Sequence, residues 1–221
     1  MKVLLLGKNG QVGWELNRTL LPLGDIVALD VEDMDLTKPQ DIRETVRTVN
    51  PDIIVNGAAY TAVDKAEEEQ ELAMAINGIA PGVLAEEAKR CGALLVHYST
   101  DYVFDGTKDE PYKEDDKPNP INFYGKSKLA GEEAIKNVGH PFFIFRTSWV
   151  YGLRGKNFLL TMMRLAKEKD EIRVVNDQIG SPTWSRLVAE VTAQVLAKTT
   201  FAGRYDKGAY AKLSGLYHLT S

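Results

Sequence analysis

An unbroken apolar run, Val3-Leu4-Leu5-Leu6, leads directly into Gly7-Lys8-Asn9-Gly10-Gln11-Val12-Gly13. An amphipathic stretch follows from about Gln11 to Leu21 and is stopped by Pro22 and Gly24. Consecutive apolar residues without alternation read as a parallel strand buried on both faces. Glycines at the junction let backbone N–H groups close on a pyrophosphate at a helix N-terminus, where the helix dipole favours negative charge. The spacing is G-x-x-G-x-x-G rather than the G-x-G-x-x-G of many dehydrogenases, and an ordinary tight turn shares its ingredients. Strand, glycine turn and helix in this order point to an α/β chain built on a doubly wound parallel sheet, Rossmann-like.

The alternation continues. Ile26 to Asp30 reads as a second strand, with Asp30 at its carboxyl end, 17 residues after Gly13. An acid there accepts hydrogen bonds from ribose hydroxyls and disfavours a 2′-phosphate, although Glu32, Asp33 and Asp35 crowd the same loop and a solvated turn acid reads alike. Pro39 to Val49 is a crossover helix and Asp52 to Asn56 a third strand. It runs into Gly57-Ala58-Ala59-Tyr60, small residues that allow a flat ligand close to the backbone or serve close packing alone. A long helical stretch is predicted from Val63 to Arg90, with Glu67-Glu68-Glu69 as a solvated face. Asn77 within it needs hydrogen-bond partners if buried. Leu94 to Ser99 gives a fourth strand, with Thr100 at its end.

Tyr124 and Lys128 lie four residues apart in a helix predicted over 124–137, which sets both on one face. A phenol has an ordinary pKa of about 10, and an ammonium beside it favours the phenolate and lowers that value. With the Thr100 hydroxyl, such a group suits protonation of a carbonyl oxygen while hydride arrives at its carbon. Alone, the Tyr-x-x-x-Lys spacing is common to amphipathic helices. The stretch from Gly106 to Asn122 reads as a surface loop. Phe142 to Phe145 is a buried strand ending near Trp149, a residue able to stack on a sugar or base or to cap the core. A helix over 157–167, a strand over 172–175, a polar turn over 176–183 suited to binding and a helix over 186–198 follow. The chain divides into a dinucleotide-binding domain over 1–150 and a partial substrate-binding region over 151–221, some of whose elements complete the first.

Composition narrows the function. A net charge of −4 with no basic run argues against nucleic acid as a partner. A single Cys91 excludes an internal disulfide, and one Cys with three His offers no zinc-ligand spacing. No apolar run is long enough for a membrane and no signal sequence is evident, so a cytoplasmic location is expected.

As a set, Gly7–Gly13, Ala58-Ala59-Tyr60-Thr61-Ala62-Val63-Asp64, Ser99-Thr100-Asp101-Tyr102-Val103-Phe104-Asp105-Gly106, Tyr124-Gly125-Lys126-Ser127-Lys128, Arg146-Thr147-Ser148-Trp149-Val150-Tyr151 and Gly180-Ser181-Pro182-Thr183 resemble the extended short-chain dehydrogenases/reductases. Within them the resemblance is to the dTDP-4-dehydrorhamnose reductase family. It implies reduction of the C4 ketone of a dTDP-4-keto-6-deoxy sugar by NADPH or NADH, giving dTDP-L-rhamnose. Tyr124 would be the proton donor, Lys128 its pKa-lowering and ribose-holding partner, and Thr100 the hydroxyl that orients the ketone. Gly7, Gly10, Gln11 and Val12 would hold the pyrophosphate, and Asp30 the adenosine ribose. Asp35 and Leu36 would flank the adenine, and Ala58, Ala59 and Tyr60 would line the cofactor cleft. Val63, Tyr102 and Trp149 match sugar-pocket positions. Family chains continue by roughly 60–70 residues past Gly215–Leu219, the scale of a small subdomain, so an incomplete substrate pocket is expected. The fold class allows a two-fold homodimer. A regulatory dinucleotide-binding subunit, or an epimerase or dehydratase of the same superfamily, are further readings that the residues allow.

Overall fold

Side-chain alternation along the strands assigns each residue to one of two cores. In the computed structural model, which describes residues 1–198, 200–201, 204–205 and 207–221, Val3 and Leu5 face one side of strand β1 (Lys2–Leu6) and Leu4 and Leu6 the other. The same parity holds in β2 (Asp25–Leu29), β3 (Ile53–Asn56), β4 (Leu94–Thr100) and β5 (Phe142–Thr147). Ile53, Val55, Leu94, Val96, Phe143 and Phe145 share the core of Val3, while Ile54, Leu95 and Ile144 share that of Leu4. Two faces covered by helices demand apolar residues at every position, which is why these strands read as unbroken runs.

The helices that cover them are α1 (Gln11–Thr19), α2 (Pro39–Val49), α3 (Gln70–Met74), α4 (Ala80–Cys91), α5 (Phe123–Val138), α6 (Phe158–Glu168), α7 (Ser185–Lys198) and α8 (Lys207–Leu213). Leu16 and Leu20 beside α1, Val188, Ala189 and Leu196 of α7 and Tyr210 of α8 close the first core. Ile42 and Val46 of α2, Leu84 and Ala88 of α4 and Ile135 of α5 close the second. Short strands β6 (Val150–Tyr151), β7 (Thr183–Trp184), β8 (Thr200–Phe201) and β9 (Arg204–Tyr205) form two small pairs, and β10 (Gly215–His218) returns to the main sheet. The six-stranded parallel sheet runs β10-β5-β4-β3-β1-β2. The late elements α7 and β10 therefore complete the sheet begun at the N-terminus. Strand order reverses at β1, with β2 added on one side and β3 onwards on the other, and the crevice at such a switch point is where open α/β sheets bind ligands.

Two sequence expectations are corrected. The helix predicted from Val63 to Arg90 is broken into a 3-10 turn (Lys65–Glu67), α3, a π turn (Ala75–Ile79) and α4. Asn77 is fully buried in the π turn, and Pro81, without an N–H to return to the Asn77 carbonyl, follows at the start of α4. The Asn77 side-chain amide donates to the Tyr60 carbonyl and the Ser127 hydroxyl, and its oxygen accepts from the Tyr60 N–H. The strand predicted over 172–175 is irregular chain with Val174 and Val175 exposed, because among the described residues no strand pairs with it.

On the α5 side, Glu132 and Arg146 form a bidentate pair at 2.7 and 2.8 Å, both almost fully buried, with the guanidinium 5.0 Å from the Phe104 ring centre. Burial pushes the Glu132 carboxyl up, but the hydrogen bonds and charge of Arg146 outweigh it and hold the group below its ordinary value. Removing one partner leaves the other charge stranded. Glu132→Ala is expected to lower unfolding stability by about 3–5 kcal/mol, read from the denaturant midpoint. A loss under ~1 kcal/mol would mean that Arg146 finds other partners at little cost.

Candidate functional site

A cleft of about 870 Å³ runs along the carboxyl ends of β1 to β5. Its floor at one end is the glycine turn. Gly7 has φ +80°, and an added Cβ would lie 2.8 Å from the Ala58 nitrogen; at Gly13 it would lie 1.9 Å from the Gly7 carbonyl oxygen. Only glycines allow strand, helix and the β3 wall to meet this closely. Helix α1 starts at Gly10 with no side-chain cap and no acid in its first turn. Its first N–H groups therefore meet the cleft at Gln11 and Val12 with the dipole unopposed. The Gln11 side chain points away, accepting from Asn157 Nδ2 at 2.8 Å, so its contribution to an anion is through the backbone.

Asp30, directly after β2, accepts from the Asn9 N–H at 2.8 Å and from the Val31 N–H at 2.9 Å. Each carboxylate oxygen keeps capacity for a further donor. Asp35 and Leu36 line the same end, and Ala58 and Ala59 form the wall beyond it. This set fits a dinucleotide: an uncapped helix N-terminus for the diphosphate, an acid for ribose hydroxyls, and apolar walls for a flat base. Tyr60 does not line the cleft. Its hydroxyl donates to Glu69 and its backbone is held by Asn77, which turns the ring towards Ala66 and Ala73. The polar turn over 176–183 is also outside the cleft. It packs against the cleft wall, where the Trp149 indole leaves no room for a side chain at Gly180 and the Ser148 hydroxyl donates to the Ser181 carbonyl.

At the opposite end Thr100, Tyr102, Val63, Tyr124, Lys128 and Trp149 converge. Trp149 has φ +44°, a backbone state that non-glycine residues rarely hold. Tyr102 and Tyr124 meet edge to face with ring centres 5.5 Å apart. The Thr100 hydroxyl donates to Asp101 at 3.0 Å and accepts from the Tyr102 N–H at 3.1 Å. Helix α5 is fixed by its N-cap, Asn122, whose oxygen accepts from the Gly125 N–H. Its register sets Tyr124 and Lys128 inward together, 9% and 1% exposed.

The electrostatics differ from the sequence expectation. Burial pushes the Tyr124 phenol up to about 12, opposed by the Thr100 hydroxyl and reinforced by Asp101 and Tyr102. Lys128 does not lower it here. The lysine donates to the Tyr98 carbonyl at 2.7 Å and lies 3.3 Å from His97, and burial pushes it down to about 8. At neutral pH Tyr124 is a protonated phenol, the form a proton donor needs. Sequence reasoning missed Asp101, half-buried and raised by desolvation, and also His97 and Asn56 behind Lys128. A histidine inside an apolar strand and an asparagine at a strand end carry no local mark of such a role.

Residues 1–221 match the family described as RmlD substrate binding domain. The dTDP-4-dehydrorhamnose reductase of Burkholderia thailandensis is 52% identical over 221 residues, all of this chain and 73% of that protein. That of Salmonella typhimurium is 49% identical over 225 residues, again all of this chain and 73% of the relative. Among solved structures, the dTDP-4-dehydrorhamnose reductase of Bacillus anthracis in complex with NADP superposes with a TM-score of 0.89 at 41% identity, covering all of this chain and 74% of that one. A UDP-glucose 4-epimerase from Thermus thermophilus, at 21% identity and a TM-score of 0.79, shares the fold.

The phenol chemistry is open to a spectroscopic check. Titrated by ultraviolet absorbance, wild type minus Tyr124→Phe is expected to show no phenolate below about pH 10, the ordinary tyrosine value. Ionisation of Tyr124 between about pH 7 and 8 would instead restore the lysine-lowered phenol of the sequence reading. By full-length family match and by identity to its relatives, the chain belongs to the dTDP-4-dehydrorhamnose reductase family.

Proposed function

We propose that this chain is an NAD(P)H-dependent ketoreductase that converts dTDP-6-deoxy-L-lyxo-4-hexulose to dTDP-L-rhamnose. The observation that carries the reading is one continuous cleft with two ends. One has the uncapped start of α1 and Asp30, suited to a dinucleotide; the other has Thr100, Tyr124 and Lys128, suited to a ketone. A reduced nicotinamide, when bound, supplies the hydride to C4 of the sugar. The Tyr124 phenol gives its proton to the developing alkoxide, a transfer that needs it protonated at working pH. Thr100 orients the ketone oxygen by turning its hydroxyl proton from Asp101 to that oxygen, while the Tyr102 N–H holds the hydroxyl in place. Lys128 lines the cleft beneath the phenol, where an N–H of its amine is available to the cofactor ribose. Val63, Tyr102 and Trp149 form the apolar and aromatic surround of the sugar beside Tyr124. Positioning in a low-dielectric pocket supplies most of the rate, since no strong acid is present. The reaction belongs in the cytoplasm, where the half-buried thiol of Cys91 stays reduced.

The test is oxidation of NADPH and of NADH by the 221-residue chain with the enzymatically generated keto sugar. Tyr124→Phe is expected to lower kcat by ~10² or more, with cofactor affinity little changed. Near-wild-type turnover in that variant removes Tyr124 from the mechanism. Asp30→Ser removes a charged acceptor of about 1.5–3 kcal/mol, so NADH binding should weaken by at least ~10-fold while NADPH is less affected. Equal losses for both cofactors would place Asp30 away from the ribose.

A further inference from the structure

Behind Lys128 lies a chain of hydrogen bonds that the proposed chemistry has not used. Asn56, His97 and Lys128 are each 1% exposed. The Ala58 N–H, on the wall of the cleft, donates to Asn56 Oδ1 at 3.2 Å. Asn56 Nδ2 lies 3.1 Å from His97 Nδ1, and His97 Nε2 lies 3.3 Å from Lys128 Nζ. The direction of the chain follows from its first link. A backbone N–H can only donate, so the Asn56 oxygen faces Ala58 and its NH₂ faces His97. Nδ1 of His97 must accept from that NH₂, which leaves the proton of a neutral imidazole on Nε2, aimed at the lysine nitrogen.

We propose that His97 is a positioning residue for Lys128: fixed by Asn56 as the Nε2–H tautomer, it donates to the lysine nitrogen and favours the free amine. The amine's lone pair then faces His97, one hydrogen goes to the Tyr98 carbonyl and the other is left for the cleft. Burial acts in the same direction on both groups. It pushes Lys128 down to about 8, against the opposing charge of Glu132, and holds His97 well below its ordinary value. Glu132 is itself engaged by Arg146, and the other titratable groups around the pair are Tyr98 on β4, Tyr124 on α5 and Asp101 in the turn after β4. The consequence is a lysine close to its titration point, tied through two side chains to the same backbone N–H that forms the cofactor wall. The importance of Lys128 rests on the reductase reading; the tautomer of His97 does not.

Histidine-selective ¹⁵N labelling of the whole chain and two-bond ¹H–¹⁵N spectra read that tautomer directly. The chain has three histidines, so His140→Gln and His218→Gln assign His97 by elimination. His97 is expected to show the Nε2–H pattern and to stay neutral well below the ordinary histidine value of about 6.5. An Nδ1–H pattern, or a midpoint near about 6.5, overturns the proposal. Asn56→Asp provides the complementary arm, because a carboxylate accepts from both sides. It should convert His97 to the Nδ1–H tautomer and move the alkaline break in NADPH binding upward by about one pH unit or more. An unchanged tautomer in that variant overturns the proposal as well. Absence of turnover with the keto sugar would count against the reductase reading while leaving both spectra interpretable.

Discussion

The ends of β1 and β3 meet as bare backbone, and this close approach governs the rest of the structure. A side chain at Gly7 would strike Ala58, and one at Gly13 would strike Gly7 itself. Their absence lets α1 start against the sheet with its first N–H groups uncapped at the point where the strand order reverses. The reversal opens the crevice, the glycines make its floor thin, and the helix dipole gives it a sign. Everything later in the chain is placed relative to that crevice: β4 brings Thr100 to its far end, α5 brings Tyr124 and Lys128, and the turn after β5 brings Trp149.

Beneath α5 the second core is not wholly apolar. Asn56, His97, Lys128, Glu132 and Arg146 form a buried polar layer between the helix and the strands. Buried charges are costly unless each is met by a partner. Glu132 and Arg146 meet each other in bidentate geometry, while Lys128 is met by a carbonyl and an imidazole rather than by a carboxylate. The weaker compensation is what leaves Lys128 with a lowered proton affinity. Stability resides in the ion pair, and a titratable amine beside the cleft is the result of pairing only one of the two cations with an acid.

Much of this was legible from residue order. The runs Val3–Leu6, Ile53–Val55 and Phe142–Phe145 mark doubly covered strands because both sheet faces are packed, and glycines at a strand end mark the crevice. The four-residue step from Tyr124 to Lys128 was enough to set both inward. What was not legible depended on distant partners. The helix breaks around Asn77, whose side chain reaches Tyr60 and Ser127. Tyr60 turns from the cleft because Glu69 takes its hydroxyl. Val174 and Val175 have β propensity but, among the described residues, no strand pairs with them. The rise of the Tyr124 phenol comes from burial, a quantity that sequence spacing does not report.

The most direct test of the account is the fate of the hydride. NADPH carrying deuterium at both C4 positions of the nicotinamide would be supplied with the keto sugar, and the product examined by NMR. The account predicts deuterium at C4 of the sugar and at no other carbon, with the hydroxyl proton drawn from water through Tyr124. A product without deuterium, or with it at a carbon other than C4, would contradict a direct ketone reduction in this cleft.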